Sequence, residues 1–280
     1  MNQITEETFE QALHIFRDSP VIDLREATFI DPYGMVGILE FGELLKPEGI
    51  KKPLYLPYSD EVLKYLERMD FFRFAERYFI LESSELPISD KYLRSSYSDV
   101  LLEITPIEKS DDIHYIVGKV KSRAKAILAR HLHYDEKTIH GFIVSLSEVC
   151  QNILEHSEQI GYVGIQKYHF QKLNKNVVKL AVMDIGIGFR KSLSERFDIK
   201  NDIDAIEMAL IHGASRHSDV GRGHGLPAVR RFVNQWNGKL SIRSGTAKRS
   251  IIPQWAWGKE KETRLPFFPG AQISIMLPEV

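Results

Sequence analysis

SLSEVCQNILEHS at residues 145–157, VMDIGIGF at 182–189 and GRGHGLPAVRRFV at 221–233 decide the reading of this 280-residue chain. In the first stretch Leu146, Val149, Ile153 and Leu154 fall at helical spacing and predict a helix with one apolar stripe. Glu148 and Asn152 stand four residues apart, so both project from one face, a turn from each other. A carboxylate and an amide oxygen are hard ligands of the kind magnesium prefers, with phosphates and water filling its other positions. The carboxylate is also suited to act as a general base for attack on a terminal phosphate. Taken alone, such a pair is more often a solvated helix face.

VVKLAVMD (177–184) is β-branched and apolar, which predicts a buried strand ending at Asp184. An acid at a strand end can accept from an exocyclic amine, as Asp and Glu do from amino groups on bases. Gly186 and Gly188 follow, and without a Cβ the backbone there can turn tightly or approach a ring. In the third stretch Gly221, Gly223 and Gly225 precede Leu226-Pro227, with proline suited to the first turn of a helix. A glycine loop feeding a helix N-terminus presents free amides to phosphate. GRGHGL is neither a Walker A loop nor a Gly-x-Gly-x-x-Gly fingerprint. Together the three stretches predict a pocket for a nucleotide with magnesium, built without a Walker lysine.

In order and chemistry these motifs resemble the GHKL ATPases, the family of the histidine-kinase ATPase domain, Hsp90, gyrase B and MutL. SEVCQN resembles the N box, DIGIG the first glycine box and GRGHGL the second. PGAQISIMLP (269–278) resembles the last strand, with Ala271 where the family usually has threonine, which puts a hydroxyl contact to phosphate there in doubt. The resemblance covers roughly residues 112–280 and implies a Bergerat-type α/β sandwich with ATP and magnesium as its ligands. It implies that Asn152 coordinates magnesium, Glu148 activates the attacking group, and Asp184 binds the adenine amine. Gly186 and Gly188 would shape the base pocket, and Gly221, Gly223, Gly225 and Leu226 would close the phosphate side. Residues 190–220 would form a lid. His156 and Arg222 lie near enough in sequence to be considered for phosphate or ion contacts, though a structural or solvated role fits both better.

Composition sets the wider frame. Lys and Arg number 37 against 38 Asp and Glu, so no global field calls for nucleic acid or an anionic membrane. No apolar run approaches the length of a membrane helix, and MNQITEETFEQ is acidic and polar rather than signal-like. The single cysteine, Cys150, cannot form an internal disulfide and is expected as a core thiol, which suits a cytoplasmic location. His131 and His133, two apart on an expected helix, point away from each other and make a poor metal pair. Trp255 and Trp257 are expected to pack on the sheet or form a partner surface rather than stack bases.

The composition shifts near 95–112, which predicts two α/β domains, 1–100 and 112–280. In the first, helix signals at 5–18, 35–45 and 60–72 alternate with strand signals at 21–24, 53–57 and 77–81, with MVGILEFGELL (35–45) expected to be amphipathic. The order of elements and the corner Phe29-Ile30-Asp31-Pro32-Tyr33-Gly34 resemble the STAS fold of anti-sigma-factor antagonists over about residues 15–85. That family places a phosphorylatable hydroxyl directly after the aspartate. Pro32 stands there in this chain, so the resemblance implies a docking or scaffold domain with that switch removed.

The expected function is an anti-sigma-type protein serine/threonine kinase or a related ATP-driven switch. The alternatives are an ATPase switch and a non-catalytic nucleotide-binding module. A protein partner is expected, and a homo-oligomer is compatible with the reading.

Overall fold

The computed structural model describes residues 1–82, 100–157, 159–214 and 225–280. The N-terminal unit runs β1 (Gln3–Ile4), α1 (Phe9–Asp18), β2 (Ile22–Asp23), β3 (Phe29–Ile30), α2 (Pro32–Leu45), β4 (Pro53–Tyr55), α3 (Asp60–Arg68), α4 (Phe71–Tyr78) and β5 (Ile80–Glu82). The remainder runs β6 (Val100–Ile107), α5 (Ser110–Ala124), α6 (Arg130–Leu132), α7 (Glu136–His156), β7 (Gly161–Phe170), β8 (Lys175–Asp184), α8 (Gly188–Ser194), α9 (Asp202–His212), α10 (Gly225–Gln235), β9 (Lys239–Ile251) and β10 (Lys261–Pro278).

The C-terminal strands form an antiparallel five-stranded sheet in the order β6-β7-β8-β10-β9. Val100–Ile107, which straddles the expected boundary, is its edge strand. Strand alternation sends Val178, Leu180 and Val182 of β8 to one face, where Leu146, Val149 and Ile153 of α7 meet them in a single core. The opposite face carries Ala181 and Met183 of β8, Tyr162 of β7 and Phe268 of β10. These share a second core with the N-terminal unit. The sheet is therefore covered on both sides.

Two N-terminal elements depart from the sequence reading. All twelve residues from Pro32 to Glu43 are buried, so α2 is not amphipathic. It lies against β7 and β8 on one side and against α4 on another, and no side of it is left to water. The segment 60–72 is two helices rather than one, because Asp70 turns left-handed at φ 58° and redirects the chain into α4. That extra helix runs through Tyr78 and moves the following strand to Ile80–Glu82.

The seam between the unit and the sheet is held by buried charge. Alternation also points Lys179, Lys239 and Arg243 at the N-terminal unit, Lys248 joins them past the left-handed Gly245, and all four are buried. Lys179 Nζ donates to Asp31 Oδ2 at 3.0 Å, and Asp31 Oδ1 accepts from the Gly34 amide at 2.9 Å as the cap of α2. Lys239 bridges Glu6 and Glu7, Lys248 meets Glu6 at 3.2 Å, and Arg243 holds both oxygens of Glu10 at 2.7 and 3.1 Å. Burial would push the Glu7 carboxyl up, but Lys179 and Lys239 outweigh it and bring Glu7 down to about 2. Among the described residues no helix is long and apolar enough to cross a membrane.

A charge buried in this way costs most when its partner is removed alone. Lys179→Met strands the Asp31 carboxylate and should destabilise the fold by about 3–5 kcal/mol in urea unfolding at pH 7. Adding Asp31→Asn, which keeps the cap, should recover most of the loss. A single variant as stable as the wild type would show that the pair does not hold the seam.

Candidate functional site

The helical period of α7 places Asn152 one turn beyond Glu148, with Cys150 turned into the core between them. Burial raises the Cys150 thiol, so it stays protonated and takes no part in nucleophilic chemistry. β8 ends at Asp184 opposite Gly161 of β7, and α8 begins four residues later. Between these elements opens a narrow cleft. Its walls include Asn152, Asp184, Gly188, Phe189, Ser192 and Ala271. Two residues 32 apart in sequence thus share one pocket: Asn152 from the first motif and Asp184 from the second.

Asp184 is 4% exposed. The Gly186 amide donates to its Oδ1 at 2.8 Å. Burial raises the carboxyl to about 6, against the lowering pull of the Gly186 amide, the Ser157 hydroxyl and the Ala271 amide. It is therefore an anion at neutral pH with acceptor capacity to spare. A Cβ at position 186 would stand 2.0 Å from the Ser157 carbonyl oxygen, so the turn closes only over glycine. Gly188 takes a left-handed φ of 71°, which lets the Phe189 amide donate to Ser244 Oγ at 3.2 Å.

Asn152 carries the other half of the chemistry. Its Nδ2 is buried and has no hydrogen-bond partner among the described residues, a costly state unless a ligand supplies an acceptor. A phosphate oxygen would satisfy it, and the amide oxygen on the same group is a ligand for a divalent cation. The donor set thus fits a magnesium nucleotide.

Glu148 does not line the cleft and lies beside the start of α10, where a Cβ on Gly225 would come within 2.8 Å of its Oε2. The carboxylate therefore rests at the positive end of a helix. Leu226 is 5% exposed and packs in the core shared with α7. Gly221, Arg222 and Gly223 lie outside the described residues, as does part of the expected lid, and the side chain of His156 is not described either. Within the lid stretch 190–220, the described portion includes the rest of α8 and all of α9. His131 ends α6 and His133 follows as its left-handed cap at φ 60°. Trp255 donates its indole N–H to the carbonyl of Asn237, in the turn before β9, at 2.6 Å.

Sequence reasoning missed Ser157 and Gly270. Ser157 closes the first motif and sits under Asp184, yet a serine ending a helix carries no distinguishing signal. Gly270 takes φ 76°, and a Cβ there would stand 2.1 Å from the Asp184 carbonyl oxygen. Its Pro-Gly setting signals a turn, but only the pairing of β10 with β8 reveals what the turn lies against.

Residues 141–278 match the family described as histidine kinase-, DNA gyrase B- and HSP90-like ATPase. No curated protein matches the chain. Among solved structures, the histidine kinase domain of the blue-light activated histidine kinase from Erythrobacter litoralis EL346 is similar at 16% identity and a TM-score of 0.28. The match covers 60% of this chain and 61% of that domain.

If Asp184 accepts the adenine amine as an anion, ATP affinity should be flat above pH 7. It should then fall by roughly tenfold per pH unit once the acid protonates below about 6. Calorimetry between pH 5 and 8 checks this, and Asp184→Asn should bind weakly throughout. Affinity that ignores pH in both proteins would remove Asp184 from the base site. Gly225→Ala should displace the Glu148 carboxylate and cut turnover more than binding, as read by steady-state kinetics beside the calorimetry.

Proposed function

We propose that this chain, whose residues 141–278 match the histidine kinase-, DNA gyrase B- and HSP90-like ATPase family, is a magnesium-dependent ATP-driven regulator. Its most specific form is a protein kinase of the anti-sigma type. The observation that carries the reading is the shared cleft, in which a buried anionic acceptor, Asp184, faces the same space as the unpartnered amide of Asn152. Asp184 and the Gly186 turn would hold the adenine amine, and Asn152 would hold magnesium against the phosphates. Magnesium supplies charge neutralisation at the phosphate oxygens. Glu148, beside the start of α10, would take the proton of the attacking hydroxyl as the oxygen–phosphorus bond forms. The γ-phosphoryl group would then leave ADP for a serine or threonine of a partner protein. Gly221 and Gly223 would complete the phosphate side with Gly225.

For the N-terminal unit the reading is a STAS-like domain. It is supported by an aspartate at the corner, the helix it caps and the strand that follows. The resemblance assigns docking to that corner, and in this chain Asp31 and Pro32 are buried against the sheet of the same molecule. This favours a second reading beside the kinase: an ATPase switch in which nucleotide and lid act on the chain's own N-terminal unit. A cytoplasmic setting is proposed with either reading, supported by the single buried thiol. An external protein partner or a second copy of the chain would then meet other surfaces.

Incubation with ATP labelled at the γ-phosphate separates the readings. Label on a protein hydroxyl supports the kinase, label in inorganic phosphate supports the switch, and label that stays on ATP leaves a binding module. Glu148→Ala should retain ATP binding and lose about 10²–10⁴-fold in turnover. Wild-type turnover in that variant would remove Glu148 as the base.

A further inference from the structure

Glu40 sits in the middle of α2, wholly buried, and neither of its carboxyl oxygens has a hydrogen-bond partner among the described residues. An isolated anion in such a place is untenable. The groups around it offer no cation. Asp184 at the end of β8 and Glu43 on its own helix act on it with like charge. The backbone of Tyr162 on β7 pulls the other way. The Tyr162 hydroxyl is engaged with that of Tyr78 on α4 at 2.6 Å, and Arg77 on α4 acts on Tyr162. Burial and the Asp184 charge together hold the Glu40 carboxyl well above its ordinary range. Of the two carboxyls, Asp184 is the one supplied with amide and hydroxyl donors, so it keeps the charge and Glu40 keeps the proton.

We propose that Glu40 is a positioning residue of the nucleotide site, a neutral carboxylic acid by which the N-terminal unit backs the strand end that carries Asp184. The proposal rests on Asp184 being the base acceptor. α2 lies along β7 and β8, so whatever fixes Glu40 fixes the floor of the cleft from behind. Ionisation of Glu40 would place a second negative charge behind the acceptor and draw water into the seam.

The sign of the effect on folding is unusual for a buried polar residue. Below about pH 4.5 folded and unfolded chains both hold the proton, and the acid adds no pH dependence to folding. Above it the unfolded chain releases the proton and the folded chain does not. The folding equilibrium then weakens by about tenfold per pH unit up to the folded titration point. Glu40→Gln cannot ionise and should escape this loss. Urea unfolding without nucleotide at pH 5, 6, 7 and 8 should therefore find Glu40→Gln more stable than wild type, by a margin that widens with pH. An ionised or merely hydrogen-bonded glutamate would give the opposite sign.

The second arm is ATP affinity at pH 7.5. Glu40→Ala, which leaves a void behind Asp184, should lose roughly tenfold or more, while Glu40→Gln should stay within about twofold of wild type. A Glu40→Gln variant no more stable than wild type at pH 8 overturns the proposal, whatever ATP does. Equal ATP affinity in the Ala variant and wild type overturns the positioning role. A wild-type chain that binds no ATP would sink the reading of the site and that role with it, while the unfolding series would still report the proton on Glu40.

Discussion

Charge removed from water governs this molecule. Four basic residues on one face of the C-terminal sheet can be buried only because Glu6, Glu7, Glu10 and Asp31 arrive from the N-terminal unit to meet them. Such pairs add little net stability over well-packed apolar residues, since desolvation consumes most of the Coulombic gain. Their strength lies in exclusion. Any other register between unit and sheet would leave a charge buried and unpaired, so the pairs select one arrangement from many of similar apolar area. Arg243 ties this choice to the sheet's own irregularity, because it also donates to the carbonyls of Pro266 and Phe268 where β10 bulges.

With the seam fixed, the site follows from geometry. β8 carries Lys179 into the seam and Asp184 into the cleft, five residues apart on one strand. α7 supplies Asn152 from the opposite face of the sheet. The strand is therefore shared property, gripped from behind by α2 and read from in front by the cleft. The raised carboxyl of Asp184 comes from this enclosure, and so does the raised carboxyl of Glu40.

Much of the C-terminal half was legible because its signals are local. The stripe on α7, the apolar run of β8 and the Gly-x-Gly turn each lie within a dozen residues, and the structure brings Asn152 and Asp184 to one pocket. What escaped was whatever depends on a distant surface. Lys179, Lys239 and Arg243 alternate with apolar neighbours and look like the wet side of a half-exposed sheet. Nothing in their own segments announces the acids more than a hundred residues away. Glu40 and Glu43 gave α2 a false polar side for the same reason. The break at Asp70 was hidden because the apolar period runs through it undisturbed, and a left-handed aspartate leaves no mark in composition.

The shared second core makes the two halves poor candidates for separate production. Cutting the chain between residues 82 and 100 would hand the C-terminal fragment a bare apolar surface at Tyr162, Ala181, Met183 and Phe268, ringed by four unmatched cations. Such a surface sequesters itself against any acidic or greasy neighbour, its own copies included. The N-terminal fragment would carry the mirror-image defect, a cluster of acids beside an uncovered α2. Each fragment is therefore the other's missing solvent, and soluble protein is to be sought by producing the two together.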